Sequence, residues 1–593
     1  MPYGNGGNVR FKQEFNTYLW SFDFNTLNVI HNRWQFNMAE HFQSSLLNVS
    51  SNDDKWKDDQ TFKLNLDYRL LNNLQINSQL ASVVFLDRQS GFTNDIRTHT
   101  GNLGITYTPT PKIRAKLYLG PKWDKRYEQN DHGYNYSIQA GASDLEWDEY
   151  HNSLDFSLNH EDYDTRQNYD INAQYNMTRE FATDTFDSLH IFTTNQRRDN
   201  YTSFTGDVES LREQVRGVDN ALDYLISDHS KLTLRSGIYF KDVEILSFLN
   251  QNEEKRRKRN DQRLSQDVFL NQRFSRLTTR LQLSYWSQKQ LYDIEVDNKG
   301  LPFSQRTAFI TPDNESSRIM MVGGAGLGLT RKDSLYTYVS VSKYSYDTPD
   351  TNNFDDRDEL RINSRVNAMH KFNPEFEIEL QASVNLYHMV YIFGERSADN
   401  NWNRIFTLRP MLYYHPGERF QWRQSFEVLA NYVDYDFDDL NLLTKSFVFR
   451  KFSVEDSLQY NFTTRSNLQL DYRLQMEENG QLSWDQWTER VLVSRTKQSL
   501  RVLYGYRPQP YFRINSGYTY YVREEWKHNT NAFGVEEKTK AGVYTSQGPI
   551  VRFIYAPSQK TQFILDAIRY KVNAPDQPEY YINNIELKLN WIF

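Results

Sequence analysis

The chain ends in the stretch Tyr581-Ile582-Asn583-Asn584-Ile585-Glu586-Leu587-Lys588-Leu589-Asn590-Trp591-Ile592-Phe593. From Ile585 onward, large apolar residues alternate with polar ones. A period of two indicates a β-strand with one apolar face and one polar face. A strand that closes a soluble β-sandwich would show the same local pattern, so the rest of the chain must decide whether the fold is such a sandwich.

The same alternation recurs along nearly the whole chain, and it is clearest from Glu375 to Tyr387. One face of that stretch begins with Phe376, Ile378 and Leu380, and the other with Glu375, Glu377 and Glu379. A packed soluble core would not accept the second face, because buried carboxylates without partners cost too much free energy. A hydrated or protein-filled lumen would accept it.

An amphipathic last strand that ends in Phe593 resembles the C-terminal strand of bacterial outer-membrane β-barrels. The resemblance is to that superfamily and to its assembly signal. It implies an all-β fold, a single large transmembrane antiparallel β-barrel, and a location in the outer membrane of a Gram-negative bacterium.

The composition excludes several other classes of protein. No run in the 593 residues approaches the roughly 18 apolar residues of a membrane helix. The absence of cysteine excludes disulfides, thiolate metal sites and covalent c-type haem attachment in this chain. A net charge of −7 gives no case for nucleic acid as a partner.

The first residues carry no pattern of a secretory signal peptide. Export to the outer membrane therefore requires that the numbering describe a processed or re-started chain. The alternative is a cytoplasmic chain, for which the barrel interpretation would be wrong.

Short turns and longer polar loops alternate along the chain, as they do in bacterial barrels. Taking each short turn as periplasmic predicts about 26 strands, with a range of 24–28. We expect residues 1–25 to form a lumenal segment or an extra strand, and residues 26–593 to form the barrel. The sequence predicts one long strand from Thr26 to Leu47, and long loops at 251–263 and 524–545.

A barrel of this size would have an empty lumen roughly 35 Å wide after side chains are counted. Such a hole would let periplasmic proteins leak out. We therefore expect the lumen to be filled by long inward loops, by residues 1–25 or, as the favoured alternative, by another protein.

No motif in the sequence indicates a catalytic or metal site. There is no His-Glu-x-x-His and no Gly-x-Ser-x-Gly, so we expect no enzymatic activity, and no cofactor in this chain. The run from Gly323 to Gly328 lacks the lysine of a phosphate-binding loop and predicts a bent strand. Acid clusters at 355–359 and 434–439 lack the spacing of a Ca²⁺-binding loop.

A dense run of cations predicts a surface docking segment in an outer loop, or else a solvated mobile loop. It would contact lipopolysaccharide phosphates or an acidic surface partner. The run consists of Lys255, Arg256, Arg257, Lys258 and Arg259. Trp286 and other tryptophans near predicted strand ends are interpreted as interfacial aromatic girdles.

Three functions compete. In its size and its lack of a plug, the chain looks like the large MtrB-like porins that sheathe multihaem cytochromes, although it lacks the Cys-x-x-Cys found near the start of some members. That resemblance implies a scaffold around a partner protein, with any haem in the partner. The alternatives are a barrel that transports or exports lipid, polymer or protein, and a diffusion porin narrowed by its own loops. Outer-membrane lipid and lipopolysaccharide, and a lumen-filling, periplasmic or surface protein, are the expected partners.

The alternation assigns side chains to the two sides of the wall. The expected lipid-facing residues are Leu587, Leu589, Trp591, Phe593, Phe376, Ile378 and Leu380. The expected lumen-facing residues are Glu375, Glu377, Glu379, Glu586 and Lys588.

The last strand provides the first test of the barrel interpretation. Deleting Phe593 should remove the assembly signal, and Leu589→Asp should place a charge in the lipid, so both variants should fail to insert. Membrane fractionation and protease protection measure insertion. Normal insertion of both variants would contradict the barrel interpretation.

Overall fold

The computed structural model describes residues 5–30, 33–48, 55–88, 94–202, 206–249, 253–294, 313–350, 353–438, 446–530 and 536–593. These residues form one antiparallel sheet of 28 strands. A 3₁₀ helix, Gly394–Asp399, interrupts the strands within the described ranges. No helix in this part of the chain is long and apolar enough to cross a membrane.

The strands of the first half of the chain are β1 (Gly6–Glu14), β2 (Thr17–Ile30), β3 (Trp34–Leu47), β4 (Lys55–Leu71), β5 (Leu74–Asp87), β6 (Asn94–Thr110), β7 (Ile113–Arg126), β8 (Gln129–Trp147), β9 (Tyr150–Tyr163), β10 (Gln167–Ala182), β11 (Thr185–Tyr201), β12 (Val208–Ser227), β13 (Ser230–Leu249) and β14 (Glu253–Arg273). Those of the second half are β15 (Leu277–Ile294), β16 (Asn314–Gly328), β17 (Asp333–Asp347), β18 (Arg357–Asn373), β19 (Phe376–Tyr391), β20 (Asn401–Tyr414), β21 (Phe420–Tyr435), β22 (Phe447–Asn461), β23 (Ser466–Ser483), β24 (Thr488–Gln509), β25 (Phe512–Thr530), β26 (Glu536–Ser558), β27 (Thr561–Asn573) and β28 (Tyr580–Ile592).

Each strand pairs with its neighbours in the chain, and the two terminal strands pair with each other. β1 and β28 are antiparallel, from the pair Gly6 and Ile592 to the pair Glu14 and Asn584. This pairing closes the sheet into a barrel, so no strand edge is left without a partner. The predicted all-β antiparallel barrel is confirmed, with 28 strands at the upper end of the expected range.

The two additional strands come from the start of the chain. The predicted strand from Thr26 to Leu47 is in fact the end of β2 and the whole of β3, separated by residues 31–33. β1 and most of β2 lie within residues 1–25, so these residues belong to the barrel wall. The predicted domain boundary between residues 25 and 26 falls inside β2 and divides no structural unit.

Connection length separates the two ends of the barrel. At one end, which we call the turn end, the longest connection is 415–419; at the other, the loop end, the longest is 295–313. Both termini lie at the turn end, because β1 starts there and β28 ends there. Two of the predicted loops, 251–263 and 524–545, are wrong: β14 and the β25–β26 hairpin occupy most of them.

The height of the wall varies around the barrel. β26 has 23 residues, whereas β27 and β28 have 13 each and β1 has 9. The pairing of β26 with β27 ends at Thr545 and Asn573, so the start of β26 extends beyond its neighbour at the loop end. The wall is therefore high at β25 and β26 and low at β27, β28 and β1.

The seam between the terminal strands depends on a glycine. The Trp591 indole lies over Gly7, and a Cβ on Gly7 would sit 2.3 Å from the indole Cζ2. The same indole is 6.4 Å from the Phe22 ring, and the Phe593 ring is 5.9 Å from that of Phe24. A missing side chain in β1 thus makes room for an aromatic cluster that joins β28 to β2.

Gly7→Ala should weaken this seam. The added methyl group would push the indole away from Phe22, and overpacking of this kind costs about 1–3 kcal/mol. We expect the heat-modifiable band of the folded barrel to convert at a lower temperature on electrophoresis. Gly323→Ala is the matched control, because its Cβ would meet only Leu281 at 3.8 Å.

The double variant Gly7→Ala with Trp591→Leu should recover part of the loss, since the smaller side chain leaves space for the methyl group. Equal behaviour of Gly7→Ala and Gly323→Ala would contradict this account of the seam.

Candidate functional site

The strand register divides the wall into two faces. Residues directly opposite each other on neighbouring strands share a face, and Ile76, Ile105, Leu117 and Ile138 form one such row from β5 to β8. Side chains of this apolar face are strongly exposed, as at Leu103, which is 68% exposed. A continuous exposed apolar surface of this kind is rare on a soluble monomer.

The opposite, polar face follows the same register around the whole barrel. On β23–β28 and β1 several of its charges are matched by cross-strand ion pairs, with nitrogen–oxygen distances between 2.5 and 2.7 Å. These pairs are Lys497–Glu477, Arg501–Asp471, Arg495–Glu525, Arg552–Asp566 and Arg10–Glu586. Most of them are partly exposed, and an exposed pair adds less than about 1 kcal/mol to stability. They neutralise part of the charge here, although Arg513 and Arg523 of β25 also lie on this face and have no ion pair among the described residues.

From β13 to β20 the polar face has a different charge pattern. Several of its arginines have no ion-pair partner among the residues that the structure describes. They are Arg235, Arg263, Arg280, Arg318, Arg365 and Arg409. The acids on the same face are fewer, and Glu359 is already shared by Arg357 and Arg361. This part of the wall is therefore strongly cationic although the whole chain is acidic.

The residues predicted from the last strand lie on the expected alternating faces. Leu587 and Leu589 pair with apolar residues of β27, Leu565 and Phe563. On the polar face, Glu586 accepts from Arg10 at 2.6 Å and contacts Lys588 at 2.9 Å. Phe593 follows the end of β28, and its backbone N–H donates to the Asn5 carbonyl at 2.9 Å.

The residues predicted around β19 need one correction. Phe376, Ile378 and Leu380 share one face of β19 and Glu377 and Glu379 the other, but Glu375 precedes the strand and is exposed in the turn. Pro374 in front of it cannot extend the sheet pairing, because proline has no backbone N–H. Glu377 contacts Lys371 at 3.5 Å.

The prediction that Lys255 to Arg259 form an outer loop is wrong, because these residues lie in β14. The run has cations on both faces of β14, and acids contact some of them: Arg257 contacts Glu209 at 3.1 Å, and Arg259 contacts Asp261 on the same strand at 3.0 Å. Arg256 contacts Glu244 on the neighbouring strand. The Lys255 side chain lies outside the described residues. Cross-strand acids therefore neutralise much of the charge that suggested docking.

In both acid clusters considered as Ca²⁺ sites, a carboxylate forms an ion pair with an arginine. Asp355 contacts Arg396 at 2.5 Å, and Asp434 contacts Arg404 at 3.3 Å. The sequence did not reveal a third group, Asp144, Glu146 and His151, which the β8–β9 hairpin brings together at the turn end. It is fully exposed, and Asp144 already accepts from His151 at 2.9 Å.

A buried ionic cluster stabilises the loop end of β7–β11. Asp124 and Asp131 are directly opposite each other on β7 and β8, where two carboxylates would repel. Arg166, in the connection from β9 to β10, contacts both of them, at 2.6 Å for Asp131. The guanidinium is fully buried between the rings of Tyr163 and Tyr201, 4.9 and 4.8 Å away.

The partners of Arg166 keep its guanidinium protonated. Burial by itself would lower the pKa of Arg166, but hydrogen bonds to the carboxylates of Asp124 and Asp131 raise that pKa above its usual value. The side chain therefore stays cationic at every relevant pH. It holds the β9–β10 connection against the ends of β7 and β8.

Comparison with known proteins gives a distant likeness of fold. No protein-family model matches the chain, and no curated protein sequence matches it. Among solved structures, the ferric citrate transporter FecA, unliganded, gives a TM-score of 0.39 at 9% identity, over 100% of this chain and 78% of that one. The ferric-catecholate import receptor Fiu from E. coli K12 also gives 0.39 at 9%, over 99% and 82%. The ferric preacinetobactin receptor BauA from Acinetobacter baumannii gives 0.40 at 9%, over 98% and 80%. Likeness at this level gives no information about substrate.

Replacement of Arg166 should open the loop end of β7–β11. Arg166→Met leaves the buried Asp131 carboxylate without a cation, opposite an Asp124 that keeps only Arg126, and breaking a buried pair costs about 3–5 kcal/mol. We expect amide hydrogen exchange in β9 and β10 to show a local opening free energy lower by about that amount. Arg501→Met is the matched control, because its ion pair is half exposed and contributes less than about 1 kcal/mol.

Adding Asp124→Asn and Asp131→Asn to Arg166→Met should restore part of the protection, since the repulsion disappears. Unchanged exchange in Arg166→Met would contradict the role given to this cluster.

Proposed function

We propose that this chain is an outer-membrane conduit for a large hydrophilic substrate. The exposed apolar face supports a membrane location, because a belt of residues such as Leu103, Leu119 and Met321 has no partner on the barrel itself. Transmembrane β-strands need about 9–11 residues, and every strand except β1 exceeds that length. The apolar face then contacts lipid and the polar face lines the lumen.

The orientation in the membrane follows from connection length. In bacterial barrels short turns face the periplasm and long loops face outward. The turn end and both termini are then periplasmic, and the connections 295–313, 348–356 and 436–446 are external.

The observation that carries the proposal is the width of the lumen. Twenty-eight strands spaced about 4.8 Å apart and tilted about 40° enclose a cylinder about 55 Å across. In the described ranges, the substantial contacts of each strand are with its neighbours along the wall, and no described segment crosses the interior. A small solute would not require such a width, whereas a polymer or a protein would.

A second candidate is a scaffold around a partner protein. The same width favours it, because an open hole of this size would abolish the permeability barrier. The ion-paired polar face from β23 to β1 suits a hydrated contact with a protein surface. A multihaem cytochrome as that partner, as in the MtrB-like porins, stays a prediction. So does a porin narrowed by its own loops, since residues 295–312 lie outside the described residues.

Native purification separates these functions. The barrel should be extracted in mild detergent, and its visible spectrum and the masses of its co-purifying chains recorded. We expect the barrel, once reconstituted alone, to admit large neutral dextrans into liposomes, because its lumen is wide and polar. Exclusion of small sugars by the reconstituted barrel would contradict the conduit.

A stoichiometric partner that closes the pore when added back would establish the scaffold, and a Soret band in that complex would identify the partner as a haem protein. A partner without haem would contradict the cytochrome prediction alone.

A further inference from the structure

Two adjoining depressions on the polar face of β13–β18 form a trough. The first has a volume of about 780 Å³ and the second about 550 Å³. Gln282 and Met320 line both, so the two depressions are continuous. We refer to this pair as the arginine trough.

The first depression lies toward the turn end, and glycines give it depth. Gly324 and Gly326 of β16 form part of its floor, together with Tyr336 of β17. A Cβ on Gly324 would meet nothing closer than 3.7 Å, so the missing side chain leaves open space. Arg273 and Arg280 line the walls of this space.

The second depression lies toward the loop end and has an arginine with unused donors. Arg263 and Arg318 line it with Trp286. The Nε atom of Arg318 is buried and has no hydrogen-bond partner among the described residues. Trp286, predicted to lie in an interfacial girdle, instead lies on the polar face, with its ring 5.6 Å from the Arg263 guanidinium. Neither Arg263 nor Arg318 has an ion pair among the described residues, so their terminal guanidinium nitrogens can donate to an anionic ligand.

An aromatic ring holds the guanidinium of Arg280 and that of its neighbour Arg235, which lines neither depression. Arg235 and Arg280 each lie with Cζ 5.5 Å from the centre of the Phe269 ring. Cation–π contacts of this kind fix the direction of the planar groups. Their hydrogen-bond donors are left free for a ligand, because neither arginine has an ion pair among the described residues.

The trough follows the strands and so runs along the pore. From Arg273 to Arg263 on β14 its cations extend over about 33 Å. The acids along it are Asp228 at the turn end, Asp267, which accepts from Ser284, and Glu359, which is held by Arg357 and Arg361. The trough therefore presents a line of guanidiniums along the strand direction, inclined about 40° to the barrel axis.

We propose that the arginine trough binds a linear acidic polysaccharide, through carboxylate or sulfate groups spaced along its chain. Guanidiniums bind both groups with paired hydrogen bonds. Tyr336, Tyr338 and Tyr344 offer ring faces on which the C–H faces of sugar rings pack. This inference rests on the proposed conduit and names the class of its substrate.

The shape of the trough favours a polysaccharide over an acidic protein. A folded protein inside the lumen would meet the whole circumference, whereas the four unpaired arginines that line the trough lie on three adjacent strands, β14 to β16. The volumes of the two depressions, about 780 and 550 Å³, suit a few sugar rings each. An extended chain with a charge on each repeat matches a row of cations along one strand direction.

The test compares two triple variants of the purified barrel in detergent. The trough variant is Arg263→Gln, Arg280→Gln and Arg318→Gln; the control is Arg495→Gln, Arg501→Gln and Arg552→Gln. Each removes three positive charges from the polar face. The probes are labelled galacturonate oligomers, sulfated galactan oligomers, neutral malto-oligomers and polyglutamate of equal length.

We expect at least one of the two acidic oligomers to bind the wild-type barrel, and the neutral one not to. The Kd of the acidic oligomer that binds should rise about tenfold or more in the trough variant and less than about twofold in the control. Added salt should weaken the binding of this oligomer. Galacturonate as the tighter probe would identify carboxylate as the recognised group, and sulfated galactan would identify sulfate.

Three results would overturn the inference: no binding of either acidic oligomer, equal losses in the two variants, or tighter binding of polyglutamate than of both oligomers. The last would indicate an acidic protein. Because binding is measured without a membrane, these results are separate from the dextran experiment. A barrel that admits dextran and binds no acidic oligomer remains a conduit.

Discussion

Closure of the sheet is the constraint on which the rest of this structure depends. In lipid an open sheet would leave a row of backbone groups without hydrogen bonds, so the first and last strands must meet. The pairing of β1 with β28 satisfies that requirement, and Gly7 lets the Trp591 indole cover the joint. The register of each strand pair fixes which side chains of the next strand share a face. One face of the sheet therefore stays polar from strand to strand.

The barrel could be predicted from the sequence because period-two alternation and proline- or asparagine-rich turns are local signals. The first hairpin escaped prediction because its turn, Phe15-Asn16, contains neither glycine nor proline. Phe15 adopts a φ of 55° there, which is uncommon for a bulky residue. Lys255 to Arg259 were predicted as a loop because a charged run is usually solvated, yet on a barrel strand half of the positions face water.

The arrangement of charge could not be predicted, because it depends on partners far apart in the chain. Arg166 and Asp124 are 42 residues apart and meet only after β7, β8 and β9 have paired. The arginines of β13–β20 look no different in sequence from those of β23–β28. Only the folded structure shows that Arg501 has an acid partner in Asp471, whereas Arg280 and Arg318 have no ion pair among the described residues. Net charge averages the two groups and hides the difference.

The uneven height of the wall gives the barrel an oblique mouth. β25 and β26 stand above the loop end as a ridge, while β27, β28 and β1 form a notch beside it. In the proposed conduit, a long molecule at the loop end would meet the ridge on one side and the notch on the other. The rim at the loop end is therefore asymmetric, and its low side coincides with the seam between β1 and β28.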